Sequence, residues 1–154
     1  MSVTGVHKDP AARTMTITSQ FDAPVERLWQ LWADPRQLER WWGPPSHPAT
    51  VVDHDLRPGG KVTYFVIGPD GERIDGWWRV VAVDAPRSLD FEMGGSGMPP
   101  VVVHVGFDER ADGARMTIET RFASNDVMAQ LLSMGFDEGM STAVAQIDDV
   151  LDRS

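Results

Sequence analysis

A chain of 154 residues with 42% hydrophobic content fits one domain that can build its core without cross-links. It contains no cysteine, which excludes disulfides, thiolate nucleophiles and cysteine-ligated metals and is compatible with a reducing cytoplasm. The formal net charge of -9 is dispersed, with only Asp148, Asp149 and Asp152 clustered, and it opposes phosphate backbones and anionic lipid surfaces, so neither nucleic acid nor a membrane is an expected partner.

Residues 1–12 have no apolar stretch of the signal-peptide kind and read as a loose N-terminal tail, ahead of a single domain over 13–154. No segment approaches the roughly 20 apolar residues needed to span a bilayer, and a cytoplasmic location is expected. Met15, Ile17, Ser19 and Phe21 then alternate with Thr14, Thr16, Thr18 and Gln20, which predicts a first strand with one inward face. The segment 21–45 follows and holds four of the six tryptophans. Val25, Leu28, Trp29 and Trp32 stand at i, i+3, i+4 and i+7 behind Pro24, the spacing of an amphipathic helix. Asp34-Pro35 ends that helix and starts a shorter one over 36–42, which Gly43, Pro44 and Pro45 stop. The two make a V inserted between the first and second strands.

Alternation returns in Leu89, Phe91 and Met93, in Val101, Val103, Val105 and Phe107, and in Met116, Ile118, Thr120 and Phe122. Turn residues separate these runs at Pro58-Gly59-Gly60, Pro69-Asp70-Gly71, Ala85-Pro86, 94–97 and Asp112-Gly113. The pattern predicts an antiparallel sheet of six or seven strands, each with one wet face. Trp77 and Trp78 are neighbours on a strand, so one of them at most faces inward. Ser124 or Asn125 can cap a last helix running to Leu151, roughly 40 Å long if unbroken. Its apolar stripe is Met128, Leu131, Leu132, Phe136, Met140, Ala143, Ile147 and Val150. Gly135 and Gly139 interrupt that stripe, and they mark room for a ligand, a kink between shorter helices, or close backbone approach to a bulky tryptophan.

Residues able to do chemistry are sparse. His7, His47, His54 and His104 have no ligand spacing, so no metal and no cofactor are expected. Of the four, His54 lies where it could reach a cavity mouth, either as a base or bonded to backbone. Arg57, just before the Pro58-Gly59-Gly60 turn, is expected to fix that turn by pairing with Asp55 or capping a carbonyl, with a ligand carboxylate as the alternative partner. No serine sits in a GxSxG elbow, and Asp75 and Glu92 fall on solvent-facing positions. The segment Gly94-Gly95-Ser96-Gly97 has no lysine or following helix and reads as a loop rather than a phosphate cradle.

The V, together with Asp22-Ala23-Pro24, Trp41-Trp42-Gly43-Pro44, 55–60 (DLRPGG), 76–89 (GWWRVVAVDAPRSL) and 135–151 (GFDEGMSTAVAQIDDVL), resembles the START-like (SRPBCC, helix-grip) superfamily. Within it the nearest likeness is to homologues of the activator of the heat-shock chaperone ATPase, and it covers nearly all the chain beyond residue 13. The resemblance implies an α+β helix-grip fold, a curved sheet around a long C-terminal helix, with a hollow at their interface. It implies binding of a small hydrophobic molecule there, by a carrier or sensor. Enzymes of the cyclase, aromatase or hydratase kind share the scaffold, as do co-chaperone domains that contact a heat-shock chaperone, and a homodimer is compatible with it. The expected ligand contacts are Trp42, Tyr64, Trp78, Phe91, Met93, Phe136, Gly139 and Met140. No catalytic residue stands out.

Overall fold

In the computed structural model, which describes residues 3–44, 46–95 and 98–152, the alternating segments lie on strands of one sheet. The strands are β1 (Val3–Asp9), β2 (Thr14–Phe21), β3 (Thr50–His54), β4 (Lys61–Ile67), β5 (Arg73–Asp84), β6 (Ser88–Gly95), β7 (Met98–Arg110) and β8 (Gly113–Arg121). All neighbouring pairs are antiparallel, in the order β1-β2-β8-β7-β6-β5-β4-β3. Eight strands among the described residues replace the six or seven expected. The additional one is β1, inside the segment expected to be a loose tail. It is exposed along most of its length and held at the sheet edge by backbone pairing with β2, so it carries no inward alternation to read.

The helical V is α1 (Val25–Ala33) and α2 (Pro35–Trp41), and it therefore stands between the second and third strands. Those strands lie near opposite ends of the curved sheet, so the V has to cross the sheet's inner face. Leu28, Leu31 and Trp32 of α1 are fully buried by that crossing. Asp34 links the two helices: its carboxylate accepts the Arg36 backbone N–H at 2.9 Å, and this bond holds its pKa below the usual carboxylate value.

The C-terminal helix is not continuous. It comprises α3 (Asn125–Ser133), α4 (Phe136–Ala145) and α5 (Ile147–Asp152). Ser124 caps α3 by accepting the Val127 N–H. The first break falls at Gly135, whose φ of +83° is open to glycine at little cost and strained for other residues. This part of the glycine pair is a helix break. The pieces take separate seats, α4 over β1 and β2 and α5 against α2. Lys8 of β1 pairs with Asp137 of α4 at 2.7 Å, which lowers the carboxyl pKa.

Candidate functional site

Six aromatic rings meet where the V crosses the sheet. Trp32, fully buried, sits 4.7 Å from Trp41, 6.0 Å from Trp42 and 5.8 Å from Trp78, measured between ring centroids. Trp78 stacks on Phe91 at 4.2 Å, and Trp42 meets Trp78 and Tyr64 edge-on at 5.0 and 5.9 Å. Each such pair adds about 0.5–1.5 kcal/mol beyond the area it buries, so this part of the interior is held by its own rings. Trp78, Phe91 and Met93, all expected ligand contacts, are almost completely buried in that packing. Trp77 faces outward, as strand parity demands, with its ring over Gly94 of the neighbouring strand.

An apolar opening lies on the other side of Trp42. There the residues 42–44 after α2 and the facing surface of α4 border an open apolar groove of about 520 Å³. Trp42, Phe136, Gly139 and Met140 line it, which brings four of the eight expected contacts together. Gly43, Pro44, Met134 and Glu138 join them. A Cβ placed on Gly139 would meet nothing within 4 Å, so this second glycine does leave room. Tyr64 stands behind Trp42, away from the groove lining. Its ring lies over Gly76, its register partner on β5, where a Cβ would collide with Cζ and Oη.

Gln146, which no motif in the sequence marks, ties the end of α4 to the turn after α2. From the junction of α4 and α5 its amide donates to the carbonyls of Gly43 at 2.7 Å and Trp41 at 3.2 Å. The signal for it was a lone amide between Val144-Ala145 and Ile147, too weak to name a partner more than 100 residues away.

Polar chemistry inside the aromatic cluster is confined to N–H and O–H groups. Burial raises the Tyr64 phenol pKa above its usual value, and the neighbouring indoles of Trp42 and Trp78 offset this only in part. The Trp78 N–H forms no hydrogen bond of normal geometry, and neither does that of Trp32. His54 is tied at Nε2 to the Trp32 carbonyl at 2.9 Å, and thus takes its backbone-bonded alternative. Asp55 pairs with Arg57 at 2.8 Å beside the turn, Asp75 with Arg73 at 2.9 Å, and Glu92 with Arg79, all at the surface. No cluster of three or more His, Asp or Glu able to hold a metal ion exists among the described residues. Ser96 and Gly97 of the expected loop, and Pro45, lie outside those residues. No described helix is long and apolar enough to cross a membrane.

Residues 22–152 match the family described as Activator of Hsp90 ATPase homolog 1-like protein. The crystal structure of protein Ms6760 from Mycobacterium smegmatis is 50% identical, with 97% of this chain and 96% of that one covered and a TM-score of 0.89. A protein from Arthrobacter aurescens, solved in solution, is 40% identical over 99% of this chain and 94% of that one, with a TM-score of 0.95. An AHSA1 protein from Silicibacter pomeroyi shares the fold at 21% identity, covering 90% of this chain and 97% of its own, with a TM-score of 0.74. No curated protein matches the chain.

Proposed function

The chain belongs to the Activator of Hsp90 ATPase homolog 1-like family, and from that premise we propose that it binds a small hydrophobic molecule in the groove between α4 and residues 42–44. One observation carries the proposal: the groove is walled by Trp42, Phe136 and Met140 and stays open because position 139 has no side chain. Its volume falls within the roughly 300–1,000 Å³ typical of small-molecule sites. Aromatic faces and a methionine thioether accept varied apolar shapes, which suits a carrier or sensor. In this reading the C-terminal helices and the sheet act as a helix grip, with the ligand taken at the break between α3 and α4. Catalysis draws less support, because His54 is committed to a backbone carbonyl and the acidic candidates to surface arginines.

Gly139→Leu tests the site without disturbing the core, since the added side chain enters open space. Native mass spectrometry and tryptophan quenching with a panel of apolar metabolites should show saturable binding to the unaltered chain and a loss of at least about ten-fold, or about 1.4 kcal/mol, in the variant. Unchanged affinity in Gly139→Leu would place the ligand elsewhere.

A further inference from the structure

If the groove holds a ligand, the periodicity of α4 sets what that ligand meets on each side. At about 100° per residue, Phe136, Met140 and Ala143 fall to one side of Gly139, and Glu138 and Thr142 fall to the other. All five line the groove together with Trp42. Burial follows the same division: Met140 and Ala143 are buried, whereas Glu138 and Thr142 are exposed. Gly139 lies between the two sides and has no side chain to separate the apolar wall from the polar edge.

Glu138 is the only charged side chain among the described residues lining the groove. Among those residues no ion pair or side-chain hydrogen bond takes up its carboxylate, whereas its neighbour Asp137 is paired with Lys8. Asp137 and Glu138 both stand in the first turn of α4, so the positive end of that helix already faces carboxylates and does not call for an anion. Trp42 and Phe136 add aromatic rings, whose faces attract cations. The net charge of -9 favours a cation at longer range as well.

We infer that the groove selects an amphipathic amine. Its apolar body lies against Trp42, Phe136 and Met140, and its protonated amino group crosses Gly139 to the Glu138 carboxylate, with the Thr142 hydroxyl one turn along as a second acceptor. This inference rests on the groove being a ligand site. A neutral ligand covers the apolar wall but leaves the carboxylate to water, and a carboxylate ligand meets a like charge with no cation to offset it. Because Glu138 is exposed, its attraction is screened, and the selectivity is several-fold rather than orders of magnitude.

Calorimetric titration of the intact chain, at neutral pH and low salt, with three naphthalenes substituted at the same ring position tests this. Naphthylmethylamine carries the ammonium, naphthylmethanol is its neutral counterpart, and naphthoate carries the opposite charge. The amine should bind about three- to five-fold more tightly than the alcohol, with naphthoate weakest. Glu138→Gln, an exposed change that keeps the side chain's size, should remove that advantage and leave the alcohol's affinity unchanged. Equal binding of amine and alcohol by the unaltered chain, tightest binding of naphthoate, or an amine advantage that survives in Glu138→Gln overturns the inference. In those cases weaker binding of the alcohol by Gly139→Leu still marks the groove as the ligand site. If the alcohol binds Gly139→Leu as well as it binds the unaltered chain, or none of the three binds, the groove reading itself fails and this inference with it.

Discussion

Tyr64 is the chain's single tyrosine, so its ionisation can be followed alone by phenolate absorbance near 295 nm. Burial favours the neutral phenol in the folded protein, and its pKa is raised, whereas the unfolded chain should titrate at about 10. The sign follows from linkage: the folded state holds this proton more tightly than the unfolded one. Its stabilising contribution is complete below pH 10 and disappears as pH rises through the folded value. Absorbance titration should therefore give a midpoint above about 10 in buffer, returning to about 10 in denaturant. A folded midpoint at the unfolded value would mean a wet hydroxyl and would remove Tyr64 from the interior. This residue was only partly legible in the sequence. Tyr64 stands among the expected ligand contacts, but the role of Gly76 beneath its ring depends on cross-strand register, which no local pattern encodes.

The broken C-terminal helix assigns different work to two glycines four residues apart. Gly135 is needed for its backbone, since its φ is positive, and Gly139 for its space, since it lies inside α4 with open surroundings. Alanine should therefore act in opposite directions. Gly135→Ala forces a side chain into the left-handed region and should destabilise by about 1 kcal/mol, whereas Gly139→Ala should stabilise by about 0.5–1 kcal/mol through helix propensity. Urea unfolding measures both, and a stabilising Gly135→Ala would contradict the break. The sequence leaves three readings open for this pair, ligand room, a kink or close backbone approach to a tryptophan; Gly135 is the kink, and at Gly139 no neighbouring atom stands within 4 Å of an added Cβ. The strands were legible wherever one face is buried, as in Met15, Ile17 and Phe21 or Val101, Val103 and Val105. β1 was not, because an edge strand exposed on both faces shows no period.

For the molecule as a whole, β1 extends the sheet at one edge and the C-terminal helices pack onto it, while the centre of the sheet is built by other strands. β5 to β8 pair through long registers and carry much of the buried apolar face, while α4 is attached by the Lys8–Asp137 ion pair, by packing on β1 and β2, and by Gln146. That division predicts where stability is low and where a ligand acts. Gln146 is the tie between the α4–α5 junction and the turn after α2, and it satisfies two carbonyls at once. Gln146→Ala should lower global stability by about 1–2 kcal/mol and weaken ligand binding, because the groove's two walls lose the bond that sets their spacing. Hydrogen exchange distinguishes this from a general loss of packing. In the variant, amides of α4 and of residues 41–44 should exchange faster while those of β6 and β7 change no more than global stability requires. A bound ligand should do the reverse, protecting α4 and residues 41–44 first. Uniform acceleration across sheet and helices in Gln146→Ala would mean that α4 is part of the same cooperative unit as the sheet, and that the groove cannot open without unfolding the protein.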